Sequence, residues 1–90
     1  MRKYIENYCV ENEIDDVLFI DGHDNAIIGL SSCFHSTKVA YSFKKIIDNL
    51  QKDMTYEEAL EFFSFNIQGA YLGDGSPIIM HDDIDWEFYE

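Results

Sequence analysis

Two adjacent amphipathic helices in the middle of the chain constrain the fold more than any other feature. Ser42 is a favourable N-cap residue. The apolar residues after it recur at i, i+3, i+4 and i+7 and so share one helix face: Phe43, Ile46, Ile47 and Leu50. This spacing predicts a helix from Ser42 to about Lys52. An apolar stripe of this kind has to be buried, so we expect a sheet or a further helix beside it.

A second helix follows directly and begins with a capping box. The hydroxyl of Thr55 and the carboxylate of Glu58 can each accept a backbone N–H at the start of this helix. Its apolar stripe consists of Tyr56, Ala59, Leu60, Phe63 and Ile67. We expect Gly69 to end the helix in a left-handed conformation. Because Phe62 and Phe65 lie off the stripe, the helix has to be covered on two sides or expose aromatic surface. We favour the first alternative, a central helix packed by the sheet and the neighbouring helix.

Three short apolar runs before these helices predict β-strands. Residues 17–20 and 26–30 flank a turn at 21–25 that is rich in Asp, Gly and Asn, a pattern typical of a β-hairpin. A third strand is predicted over residues 38–41, after a polar connection at 31–37.

Both ends of the chain add further elements. Residues 2–13 carry apolar side chains at helical spacing and predict a short N-terminal helix. Residues 70–72 and 77–80 flank a Gly-containing turn at 73–76 and predict a second hairpin. A chain of 90 residues has room for one core. We therefore predict a single α+β domain over residues 1–90, with a small antiparallel sheet of three to five strands packed against the two central helices.

The charge of the chain narrows the class of partner. Eighteen acidic side chains against six basic ones give a formal net charge of −12. Such a charge repels phosphate backbones and attracts basic protein surfaces. We therefore expect a partner protein with a basic surface and no direct binding to nucleic acid. No apolar run approaches the roughly 20 residues that span a bilayer, so we expect no membrane partner and a cytoplasmic location.

One turn concentrates the side chains best suited to bind a ligand. Asp21, His23 and Asp24 supply two carboxylates and an imidazole, which can ligate a divalent cation. A calcium loop of the EF-hand type is excluded, because Ser32 stands at the position that requires Glu. Gly22 offers a positive φ angle, and Asp and Asn stabilise turns through their own backbone. Three interpretations stay open: a structural turn, a contact with a ligand or partner, and catalysis.

Catalytic chemistry has little support elsewhere in the sequence. Cys33 and His35 are a sequence-near pair of nucleophile and base, but no pattern supplies an oxyanion hole. Cys9 and Cys33 lack CxxC spacing, and the histidines do not complete a zinc ligand set of the usual kind. We therefore expect free thiols, no metal, no cofactor and no enzymatic activity.

The C-terminal segment, residues 81–90, alternates acids with large aromatic residues. This alternation is typical of a recognition strand, in which carboxylates attract a basic surface and an aromatic side chain anchors in a pocket. It also fits an edge strand whose apolar face points inward. The predicted partner-binding residues all lie here: Asp82, Asp83, Asp85, Trp86, Glu87 and Phe88.

Two motifs in the chain resemble a family of small uncharacterised proteins from bacteriophage genomes. They are DGHDNAIIG at residues 21–29 and FSFNIQGAYLG at residues 63–73, and the resemblance extends over about residues 17–79. It implies a viral setting, and hence a host cytoplasm, but no activity. His23 departs from the aromatic or apolar residue often found there. The resemblance marks as family features Asp21, Gly22, Asp24, Asn66, Gly69, Ala70 and Tyr71.

Functions of different classes fit these observations. The first is a phage accessory protein that binds and inhibits a host defence or nucleic-acid-handling protein through its acidic surface, as an anti-CRISPR-like inhibitor or a DNA mimic. The alternative is an oligomeric trap for a small molecule or signalling nucleotide, with contacts from Asp21, His23, Asp24, Asn66 and Tyr71. A metal-dependent enzyme acting through the Asp21 turn is a third hypothesis. A homodimer through exposed aromatic residues also stays open.

Overall fold

The computed structural model of the chain describes residues 1–14, 17–33, 36–69 and 76–83. Within these ranges it shows the predicted α+β fold, including the N-terminal helix. The elements in chain order are α1 (Arg2–Glu11), a 3₁₀ turn (Asp24–Ala26), β1 (Ile27–Cys33), β2 (Ser36–Ser42), α2 (Phe43–Leu50), α3 (Tyr56–Phe62), a π-helical segment (Phe63–Gln68) and β3 (Ile78–Met80).

The sheet is mixed, with β2 in its centre, and not antiparallel throughout as predicted. β1 and β2 run antiparallel, with Leu30 opposite Val39. β3 pairs with β2 in parallel, with Ala40 opposite Ile78. The predicted second hairpin would join β3 to residues 70–72, which lie outside the described residues. The long connection through α2, α3 and the π-helical segment allows this parallel pairing, because parallel strands need a crossover of a dozen or more residues.

The first predicted hairpin is wrong, because residues 17–20 form no strand. Ile20 is nevertheless buried, and its backbone N–H donates to the hydroxyl of Tyr41 at 2.8 Å. A side chain thus replaces the partner that a neighbouring strand would provide. β1 instead pairs with β2 and extends to Cys33; Ser31 and Ser32, at the start of the predicted polar connection, form the end of this strand, as their alternative interpretation as a fraying strand end expects. A short apolar run has the same pattern whether it pairs in a sheet or lies as irregular backbone against the core.

The helix predicted after Ser42 is α2, which ends at Leu50 rather than near Lys52. The backbone N–H of Lys45 donates to the Ser42 hydroxyl at 3.1 Å, which confirms the N-cap. The buried face of α2 consists of Phe43, Ile46 and Ile47.

The predicted capping box opens α3. The N–H of Glu58 donates to Thr55 Oγ1 at 3.2 Å, and the N–H of Thr55 donates to Glu58 Oε1 at 3.0 Å. The helix then widens into the π-helical segment, after which the N–H of Gly69 donates to the carbonyl of Ser64 at 3.2 Å. The predicted left-handed end is wrong, since Gly69 has a φ of −76°. Glycine suits this position because a Cβ there would lie 3.1 Å from the carbonyl oxygen of Phe65.

The core lies between the sheet and the helices and includes buried residues from each of the helices. They are Ile5, Cys9, Ile20, Ala26, Ile27, Val39, Tyr41, Phe43, Ile46, Ile47, Ala59, Phe63 and Ile67. Of the two alternatives for α3, the structure shows the exposed aromatic surface and not the favoured cover on two sides. Phe62 is 39% exposed and Phe65, in the π-helical segment, is 78% exposed. These two elements therefore bury one face and present another to solvent.

Candidate functional site

The outer side of α3 and the π-helical segment combines acidic and aromatic side chains. Four residues recur at i, i+3, i+4 and i+7, the spacing that groups side chains on one helix face: Glu58, Glu61, Phe62 and Phe65. The same four line an open concavity of about 450 Å³ with three neighbours, Asp53, Met54 and Asn66. We call these seven residues the acidic–aromatic face.

This face carries three carboxylates and no cation. Among the described residues, every ion pair involves Arg2, whose partners are Glu6, Asp21 and Asp24. No ion pair within the described residues therefore neutralises the carboxylates of Asp53, Glu58 and Glu61. Hydrogen bonding to the backbone of Thr55, and then to its side chain, lowers the pKa of Glu58. The Glu58 carboxylate on this face therefore stays negatively charged at neutral pH.

Two phenylalanine rings on the acidic–aromatic face are open to solvent. Contact between water and a large apolar side chain is unfavourable, and exposed aromatic residues within a charged rim are typical of protein-binding surfaces. Phe65 also belongs to the π-helical segment, and π-helical turns occur frequently at functional sites. The face can thus bind by burying an aromatic ring next to a cationic group.

The Asp21 turn folds around a buried histidine. Gly22 has a φ of +85°, as predicted, and His23 is 8% exposed. Asn49 of α2 donates its side-chain N–H to Nδ1 of His23 at 3.2 Å. Asn25 and Asn49 also exchange two amide hydrogen bonds, at 2.7 and 3.0 Å. These contacts hold the turn against α2.

The protonation state of His23 follows from this environment. Burial lowers the pKa of His23, because it disfavours the charged ring. The Asn49 amide can only donate to Nδ1, so that nitrogen is the acceptor and the neutral ring carries its proton on Nε2.

The two carboxylates of the turn face the N-terminal helix. Nη1 of Arg2 lies 3.3 Å from Asp24 Oδ1 and 3.9 Å from Asp21 Oδ1. The Nε atom of the same side chain lies 3.0 Å from Glu6 Oε1. The guanidinium carbon lies 4.5 Å from the centroid of the Phe19 ring. Ion pairing and ring contact thus fasten the turn to α1.

The predicted ligand-binding residues do not form one site. His23 and Asp24 line an open cleft of about 520 Å³ together with Gly22, Asn25, Asn49 and Lys52. Asn66 lies on the acidic–aromatic face instead. Tyr71 lies outside the described residues. Sequence reasoning misses Asn49 and Lys52, because a polar residue on a helix carries no signal of which loop it will contact.

A metal site at the turn finds no support in the geometry. Within the described ranges, no three His, Cys, Asp or Glu side chains come together so that they could hold a metal ion. Asp21, His23 and Asp24 are close in sequence, but the carboxylates pair with Arg2 while the imidazole packs against Asn49. In the described structure, the three side chains of the third hypothesis, a metal-dependent enzyme, therefore do not converge on one point.

The C-terminal segment begins with a cap on α2. Asp82 accepts hydrogen bonds from the Ser42 hydroxyl and, at 2.9 Å, from the backbone N–H of Lys44. Burial alone would raise the pKa of Asp82, but these hydrogen bonds and the charge of Lys44 lower it. The ring of His81 packs on Phe43, with 4.7 Å between centroids. Asp82 therefore has a structural role that the sequence interpretation did not include.

Of the remaining predicted partner-binding residues, the structure describes Asp83 alone. Asp83 is exposed next to the cap. Asp85, Trp86, Glu87 and Phe88 lie outside the described residues, so their contact with a partner stays a prediction.

Of the two cysteine side chains, only that of Cys9 is among the described residues. Cys9 is a free, buried cysteine of α1, and burial raises the pKa of its thiol. Cys33 ends β1, but its side chain and His35 lie outside the described residues. The Cys33–His35 pair therefore stays a hypothesis.

Comparisons with protein-family models, curated proteins and solved structures find no match to this chain. The resemblance to small phage proteins thus stays a prediction from its two motifs. No helix in the described part of the chain is long and apolar enough to cross a membrane.

Proposed function

We propose that this chain is a phage accessory protein that binds and inhibits a host defence or nucleic-acid-handling protein through its acidic surface, without chemistry of its own. The acidic–aromatic face carries this proposal, because it places three carboxylates beside two exposed phenylalanine rings. A surface of this composition is complementary to a basic surface that also offers an apolar or planar group. The phage setting derives from the motif resemblance alone.

The charge of the whole chain supports a protein partner rather than a nucleic acid. A net charge of −12 raises the rate of encounter with a basic protein surface and repels phosphate. The single arginine, Arg2, is already engaged by the carboxylates of α1 and the Asp21 turn. The basic surfaces that bind nucleic acid are large, so proteins that handle nucleic acid are suitable partners.

Affinity capture from a bacterial lysate with matched variants tests the binding. The face variant combines Glu61→Lys with Phe65→Ala. The control combines Glu11→Lys with Tyr4→Ala on α1, where Tyr4 is also 78% exposed. We expect the wild type and the control to retain the same basic protein and the face variant to lose it. Equal capture by the face variant would remove the face from the mechanism.

The inhibitory part of the proposal needs its own measurement on the captured protein. We expect the wild-type chain to block binding of nucleic acid to that protein at a one-to-one ratio, and the face variant to leave it intact. If a saturating amount of wild-type chain changes neither nucleic-acid binding nor catalysis by the partner, the chain is a binding protein and the inhibitor assignment fails.

The polar cleft beside His23 favours a second candidate function, the binding of a small molecule or signalling nucleotide. Its lining offers an imidazole, two amides, the carboxylate of Asp24 and the ammonium of Lys52. A thermal-shift screen with nucleotides and divalent ions tests this, because a ligand of the folded state raises stability by mass action. A true ligand raises the melting temperature of the wild type but not of a Lys52→Ala variant. The absence of any shift across the screen would count against this function.

A further inference from the structure

Arg2, the only arginine of the chain, lies in a site that other side chains of the same chain form. Its guanidinium carbon lies 4.5 Å from the centroid of the Phe19 ring, while its nitrogens lie 3.0 Å from Glu6 and 3.3 Å from Asp24. A phenyl ring and these two carboxylates hold this group, with a third carboxylate, that of Asp21, at 3.9 Å. A guanidinium suits such a site, since its planar, weakly hydrated face stacks on an aromatic ring while its edge donates to carboxylates.

The acidic–aromatic face offers the same combination without an arginine of its own. Glu58 and Glu61 line the same concavity as Phe62 and Phe65. Arg2 is the only arginine in the sequence, and among the described residues, which include all five lysines, no lysine lines this concavity. A cation that completes the face therefore has to come from another molecule.

We infer that the acidic–aromatic face binds an arginine side chain of a partner protein, with the guanidinium stacked on the ring of Phe62 or Phe65 and paired with Glu58 or Glu61. This inference rests on the proposed function and names the partner residue that the face recognises. Arginine is preferred to lysine, because an ammonium is strongly hydrated and cannot stack as a plane. A nucleic acid does not fit, since it would place phosphates against three carboxylates.

A titration followed by amide resonances of the ¹⁵N-labelled chain tests the inference. Three otherwise identical short helical peptides carry arginine, lysine or citrulline at two positions four residues apart, next to a leucine. We expect the arginine peptide to shift resonances of α3 and the π-helical segment and to bind about two- to fivefold more tightly than the lysine peptide. The citrulline peptide, which is neutral, should not bind at millimolar concentration.

Matched variants assign the preference to the ring. Phe65→Leu keeps an apolar side chain but removes the ring, so arginine and lysine peptides should then bind equally. Tyr4→Leu makes a similar change at an exposed position of α1 and should leave the arginine preference intact. Glu61→Gln should weaken binding of both charged peptides. The resonance pattern of each free variant shows whether it has kept the fold.

Several results would overturn the inference. Equal affinity of the wild type for arginine and lysine peptides would reduce recognition to charge alone. Shifts confined to α1 or the Asp21 turn would place the site elsewhere. Shifts of face resonances that grow with protein concentration in the absence of peptide would identify a second copy of the chain as the occupant.

If the peptides bind equally but the face variant still loses the captured protein, the proposed function stands and only the arginine assignment fails. If arginine is preferred but no protein is captured, the reverse holds.

Discussion

His23 is held in its neutral form by burial and by a single donor, the side-chain amide of Asn49. A protonated ring could not accept that hydrogen bond, and both amide hydrogens of Asn49 are used in the contacts to His23 and Asn25. Protonation of His23 would therefore disturb the contact between the Asp21 turn and α2. Neutral His23 therefore stabilises the fold. A ligand bound in the cleft would give this residue a further role.

We predict that His23 makes the protein less stable in mild acid. Its pKa is lowered in the folded state, whereas the unfolded value is about 6.5. The stabilisation is thus complete above that pH and is lost as the pH falls through the window down to the folded pKa. Urea unfolding between pH 7.5 and 5.5 should show a decrease of at most about 1.4 kcal/mol per pH unit in the free energy of unfolding. A His23→Gln variant should lack this component, and an identical pH dependence in both proteins would contradict the prediction.

The roles of some residues could be predicted from the sequence because they depend on local chemistry. The roles of others depend on tertiary contacts and could not. The N-cap at Ser42, the Thr55–Glu58 capping box and the positive φ of Gly22 depend on neighbours within a few residues, and all three are confirmed. The partners of Asn49 and Asp82 lie 24 or more residues away. No sequence pattern encodes which distant groups meet, so these contacts required the fold.

At the scale of elements, α2 is capped from two directions. Ser42 precedes the helix, while Asp82 reaches its first turn from beyond β3 and accepts the N–H of Lys44. The cap therefore joins α2 to the C-terminal segment. A test of this segment as a partner-binding strand has to spare Asp82, since reversal of its charge would place a cation against a helix N-terminus.

We predict that Asp82→Ala lowers the free energy of unfolding by about 1 kcal/mol, the usual effect of a lost helix N-terminal cap. Asp83→Ala is the matched control, because it removes the same charge from an adjacent exposed position and should change stability little. Thermal or urea unfolding of both variants at neutral pH checks this. Equal stability of the two variants would show that the contact with the first turn of α2 does not contribute.

The helices followed their sequence patterns more closely than the strands did. An apolar stripe at helical spacing, opened by a cap, has few alternative structures, and α2 and α3 begin where expected. The apolar run at 17–20 matched a strand equally well but lies beside the core without a ladder. The widening of α3 into a π-helical segment also left no recognisable signal, although it carries the most exposed aromatic ring of the acidic–aromatic face.

At the scale of the whole molecule, the described residues form a mixed three-stranded sheet and helices around a shared core, and the chain as a whole is acidic. The α+β class was predictable from the order of apolar patterns. The parallel pairing of β3 with β2 was not, because it depends on the path of the chain between these two strands. The acidic charge was evident from composition. Its association with exposed Phe62 and Phe65 was not, because the same rings were expected to lie under a second layer.

Amide hydrogen exchange, measured on the chain alone and in complex with a captured basic protein, tests the central claim most directly. If the acidic–aromatic face is the binding surface, exchange should slow over α3 and the π-helical segment, residues 56–68, where the partner excludes water and suppresses local opening. Exchange in α1 should be unchanged. Slower exchange confined to α1, the sheet or the Asp21 turn, with residues 56–68 unaffected, would contradict the account.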